Sequence, residues 1–126
     1  MRGSDEHRQP LIAVELEQAA RLLADSTHRI TNPHDSYQLI DELEATVGHL
    51  AEVCQQYAAW HGDAAHGTHC HGETDAAATR AAAVELRAAA EGLVSAAAAL
   101  GRAKEHNQAV RWHDIEADHP SAATAD

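Results

Sequence analysis

The chain has 126 residues, with 9 Lys plus Arg against 20 Asp plus Glu and a formal net charge of −11 when its histidines are neutral. The length fits one domain, and the acidic balance opposes the counterion-release attraction behind nucleic-acid binding, so neither DNA nor RNA is expected as a partner. Hydrophobic residues make up 44% of the chain, but Phe is absent and only two Trp and two Tyr occur, while alanine fills 29 positions. A core built from such material is aliphatic and small, and scarce β-branched and aromatic residues disfavour sheet, so the expected fold class is all-α.

The N-terminus has no apolar signal segment, and no apolar run approaches the roughly 18 residues of a membrane span. Met1 to Ser4 reads as an expression leader, within a disordered tail over residues 1–9. Two cysteines, Cys54 and Cys70, are too few for a disulfide framework, which makes a reducing, cytoplasmic setting the expectation.

A first helix is predicted over about 10–31. Ile12, Leu16, Ala19, Leu23, Ser26 and Ile30 recur at alternating spacings of four and three, with Leu22 widening the stripe. At Asn32-Pro33-His34-Asp35 the sequence offers a new helix start: Asn as N-cap, Pro at the first helical position and Asp in the first turn. The second helix, about 33–61, carries the seam Ile40, Leu43, Val47, Leu50, Cys54 and Tyr57, flanked by Leu39, Val53 and Trp60. Asp41, Glu42, Glu44 and Glu52 fall on its outer face, and Gly62 supplies a stop.

The third helix, about 75–111, is capped by Thr74 or Asp75. Leu86, Leu93 and Leu100 are seven residues apart, Ala83, Ala90 and Ala97 occupy the partner position, and Ala82, Ala89, Ala96 and Ala103 the neighbouring one. Alanines allow close helix approach, near the low end of the roughly 8–10 Å interaxial range. Three such helices make an up-down-up antiparallel bundle, or coiled-coil-like hairpin with a long third helix, within a helical domain 10–112. In it the large seam of the second helix faces the alanine strip of the third. The third helix is on the order of 55 Å long against roughly 40 Å for the second. Its excess overhangs, breaks at Gly101 or meets another chain. Leu86, Ala90, Leu93, Ala97, Leu100 and Trp112 are therefore the candidate interface with a second copy, as a homodimer, or with another protein. Residues 113–126 read as a disordered acidic tail.

Eleven histidines stand out. The loop 61–73 holds His61, His66, His69 and His71 around Cys70, with Glu73 beside them and Gly62, Gly67 and Gly72 to let the backbone fold around an ion. Imidazole and thiolate are preferred zinc ligands and also suit nickel and copper. These six residues are the candidate metal set and zinc, or another transition metal, the candidate cofactor. No standard zinc-ligand spacing accompanies them. Cys54, on the apolar seam, reads as a small hydrophobe. No glycine-rich phosphate loop or Ser-His-Asp constellation is present, so no catalytic residue is assigned.

The segment HLAEVCQQYAAWH, residues 49–61, resembles small uncharacterised alanine-rich helical proteins of actinobacteria, and eight Arg to one Lys agree with a high-GC genome. The resemblance implies a helical fold and carries no activity, cofactor or functional residue. The leading expectation is a non-enzymatic protein–protein interaction or self-association module, with a metal-binding module as the alternative.

Protonating all eleven histidines moves the formal charge from −11 to zero, in keeping with the sequence pI of about 5.3. Losing net charge removes the repulsion between copies. Turbidity and light scattering are therefore expected to rise steeply as the pH falls from neutrality toward the pI of about 5.3; a flat scattering trace would refute this.

Overall fold

The computed structural model describes residues 2–112. The expected acidic tail over 113–126 lies outside the described residues. Regular structure within them is helical: α1 (Arg2–His7), α2 (Gln9–Ser26), α3 (Ser36–Ala64) and α4 (Gly72–Gln108), with a short 3-10 turn, Pro33–Asp35, leading into α3. The chain forms two compact units, one holding α1 and α2, the other spanning His34–Trp112. No described helix is long and apolar enough to cross a membrane.

In the first unit, α1 makes a short helical segment inside the stretch read as a tail. Pro10 stands in the first turn of α2, where its missing N–H is no loss. The predicted stripe continues to Ile30, yet α2 ends at Ser26. The Ser26 and Thr27 hydroxyls both donate to the Leu23 carbonyl at 2.9 Å. Such side-chain bonds satisfy terminal carbonyls that the next helical turn would otherwise take. Arg21 reaches back to Glu17 at 2.7 Å on the polar side. No residue of α2 is buried, and Leu11, Ile12, Val14, Leu16, Leu22 and Leu23 are all exposed.

The second unit is an antiparallel hairpin of α3 and α4, the two helices packed on each other. Its register follows from the contacts at its open end. Ser36 Oγ lies 3.5 Å from Asn107 Oδ1 and Lys104 Nζ 3.2 Å from Asp41 Oδ1. That end is flush, so the extra length of α4 is taken up at the turn, where Cys70 Sγ sits 3.4 Å from Thr79 Oγ1.

The most buried residues are alanines on both helices: Ala51, Ala58 and Ala64 on α3, and Ala76, Ala83 and Ala90 on α4. Ala51 and Ala58 are seven residues apart, as are Ala76, Ala83 and Ala90, so each helix turns a column of methyl groups into the seam. The expected seam had large residues facing alanines. Instead Ile40, Val47, Cys54, Leu86, Leu93 and Leu100 occupy the adjacent columns and are half-buried. Gly101 does not interrupt α4. A Cβ there would come within 2.9 Å of Glu44 Oε2, so the glycine leaves room for that carboxylate beside the helix.

Gly62 does not stop α3 either, which runs two residues further to Ala64. The left-handed backbone lies instead at Gly72, φ +85°, at the entry to α4. There the His71 N–H donates to Asp75 Oδ2 at 2.9 Å, a side chain from the first turns reaching back to satisfy the helix start. Gly72→Ala is expected to cost about 1–2 kcal/mol, the penalty of left-handed backbone for an L residue. Gly48→Ala, inside α3 and with nothing within 4 Å of the added Cβ, is expected to gain up to about 1 kcal/mol. Thermal melts of the two variants must move in opposite directions.

Candidate functional site

The two groups singled out in the sequence occupy different parts of the hairpin. The histidines gather around the turn between α3 and α4. His61, half-buried on the last turns of α3, places Nδ1 3.0 Å from the Tyr57 carbonyl oxygen, and its ring packs edge-on against Tyr57 and Trp60. His69 lies tilted on Trp60 with ring centroids 6.0 Å apart. His66 and His71 are exposed. Cys70 is drawn toward Thr79, and Glu73 is paired with Arg80 at 2.5 Å. Among the described residues no three His, Cys, Asp or Glu side chains come together as a set able to hold a metal ion. Ring packing on Trp60, together with the Glu73–Arg80 pair, distributes the six candidate ligands around the turn.

The candidate interface residues lie along α4. Ala90 is buried in the seam, while Leu86, Leu93, Ala97 and Leu100 are half-buried beside it, so all five contribute to packing within the hairpin. Trp112 closes the open end. Its backbone N–H donates to Tyr37 Oη at 3.2 Å and its indole N–H to Asn107 Oδ1 at 2.8 Å, while the Tyr37 hydroxyl donates to the Val110 carbonyl. Asn107 Nδ2 is buried there without a hydrogen-bond partner. Tyr37, Ile40, Asp41, Lys104 and Asn107 also line a shallow open hollow of about 430 Å³.

The columns beside the seam give the hairpin two unlike sides. Beyond the alanine seam, α3 presents Leu43, Leu50 and Tyr57, then Leu39, Val53 and Trp60; α4 presents Ala82, Ala89, Ala96 and Ala103. On both helices these columns lie in the same rotational sense from the seam. Since the helices are antiparallel, that sense carries both sets to one side of the two-helix layer. This side has a ridge of large apolar residues beside a shelf of alanines. Over these columns it carries no charged side chain, Glu85 standing at its rim. Val53, Tyr57 and Trp60 are all more than half exposed on it. The other side carries Asp41, Glu52, Arg80, Arg87 and Glu91.

The charged side is tied by Lys104, whose Nζ lies 2.7 Å from Glu44 Oε1 and 3.2 Å from Asp41 Oδ1. The hydrogen bonds it donates to Glu44, and secondarily to Asp41, raise the ammonium pKa above its ordinary 10.5. A group with a raised folded-state pKa stabilises fully below its unfolded pKa and loses that contribution as pH climbs through the folded value. The stability difference between the parent chain and Lys104→Met is therefore expected to hold from neutral pH upward and to shrink above pH 10.5. Chemical denaturation across that range measures it, and a difference that persists unchanged would contradict the bridge.

The sequence matches no family model and no curated protein, and the fold matches no solved structure.

Proposed function

We propose that this chain is a non-enzymatic helical interaction module whose contact surface is the ridge-and-shelf side of the α3–α4 hairpin. The observation that carries the reading is the sidedness of the hairpin: apolar and charge-free on one side, charged on the other. A long apolar face on a helical layer is ordinarily covered by another layer, because leaving it in water forfeits the burial that stabilises helices. Apart from His61 and His69, which pack on Trp60 at its turn end, the face is lined by apolar residues of the kind that anchor interfaces, with Tyr57 and Trp60 foremost. An up-down-up three-helix bundle would place the stripe of α2 on this same face. It would then compete with any partner for the surface.

Trp60 reports on the face directly. In a Trp112→Phe background it is the sole tryptophan, and it is expected to be shielded from acrylamide quenching in the associated protein. Adding Ala96→Glu, which puts a charge on the shelf, should expose it. A Trp60 quenched equally with and without the glutamate would refute the reading.

A further inference from the structure

We infer that the occupant of this face is a second copy of the same chain, joined across a two-fold axis parallel to the helices so that α3 of one protomer lies on α4 of its partner. The inference rests on the interaction-module reading and adds the partner's identity. Three observations carry it.

The first is self-complementarity. A two-fold interface requires one surface to fit itself, and this face holds a ridge and a shelf side by side. The register of the hairpin, fixed by Ser36 against Asn107 and Asp41 against Lys104, sets Leu50 level with residues 93–95, where Ala96 is the nearest alanine of the shelf. The seven-residue repeat on both helices then brings Leu43 nearest to Ala103 and Tyr57 nearest to Ala89. A two-fold parallel to the helices keeps levels unchanged while exchanging α3 and α4. Leu43, Leu50 and Tyr57 of one protomer therefore each meet an alanine of the other, twice over.

The second is area. The 29 residues of α3 span about 43 Å at 1.5 Å per residue, and two helices side by side are roughly 18–20 Å wide. Their footprint is on the order of 800 Å², the amount each partner contributes to a standard stable interface. The 18 residues of α2 make a single helix about 27 Å long and 10 Å wide, about a third of that footprint. A second hairpin covers the face and a lone α2 leaves most of it in water.

The third is charge. Each copy carries −11, so association through a charged surface would be strongly opposed. This face is the side of the hairpin from which charge has been removed, leaving the two sets of carboxylates pointing away from each other across two helix layers of thickness.

Light scattering on the full chain, from about 5 to 200 μM, read together with Trp60 quenching in the Trp112→Phe background, tests the inference. The expected mass is 27 kDa, twice the 13.5 kDa of the chain. Ala96 is exposed in the hairpin, so Ala96→Glu leaves the hairpin intact, which circular dichroism checks. The variant is expected to weaken the dimer by at least about 100-fold, since two unpaired glutamates would be buried per dimer. Ala88→Glu, on the charged side, should leave the mass unchanged. A dimer insensitive to Ala96→Glu would place the contact elsewhere and overturn the inference. A 13.5 kDa species with shielded Trp60 would mean that the face is covered from within the chain, which overturns the second copy as occupant. The same species with Trp60 freely quenched at every concentration would overturn both the inference and the interaction-module reading.

Discussion

The packing of alanine on alanine between α3 and α4 sets everything else about the hairpin. Methyl groups at Ala51, Ala58, Ala83 and Ala90 are buried between the helices, and a seam so shallow has no room for leucine at its centre. The large residues one heptad position away are therefore displaced to one side of the contact. In a coiled coil with large residues at both core positions, the apolar material is consumed by the seam itself. Here much of it is left over, on a single side. The ridge of α3, the alanine shelf of α4 and the sidedness of charge all follow from the size of the residues in the seam.

The same cause explains why the polar contacts cluster at the ends. Along the middle of the hairpin the helix surfaces meet through methyl groups that offer no hydrogen bonds. Specificity of register falls to the open end, where Lys104 reaches across to Asp41 and Glu44 and Gly101 makes space for the second of these. The network of Tyr37, Asn107 and Trp112 seals that end. A smooth alanine seam tolerates sliding by one heptad, because every repeat looks like the next. Ion pairs and a tryptophan at one end remove that degeneracy, a role for polar contacts that is distinct from adding stability.

Much of this was legible in the sequence, and the parts that were not share a physical reason. The seven-residue spacing of Leu86, Leu93 and Leu100, and of Ile40, Val47 and Cys54, marks α3 and α4 as helices with one packed side each. Periodicity identifies a side of a helix, but not which column at its centre will be most buried; that depends on what the other helix presents. The leucine column was the natural choice, and the alanine column took the centre because alanine faced alanine. Helix ends differ from the pattern by a few residues where a local bond outweighs it: the hydroxyls of Ser26 and Thr27 stop α2 early, and Gly62 stays helical because α3 ends without a left-handed residue, at Ala65 in right-handed backbone. The histidines were legible as a group around the turn. Their arrangement was not, because the contacts of His61, edge-on, and His69, tilted, with Trp60 depend on where α3 ends.

Energetics make the exposed ridge more than an incidental surface. Each methyl group buried in the seam stabilises by about 0.8 kcal/mol, whereas fully burying a leucine side chain is worth about 1.5–3 kcal/mol. An all-alanine seam therefore realises the smaller contribution. The larger one is realised only in part by Leu43 and Leu50, which are half-buried, and is withheld at Val53, Tyr57 and Trp60, which are exposed. Helices in water draw most of their stability from tertiary packing of an apolar face rather than from intrinsic propensity, even where alanine makes that propensity high. A hairpin that stores its largest apolar groups on an open side gains most of its remaining stability when that side is covered. Folding and association then draw on the same residues, and covering the ridge stabilises the helices that carry it.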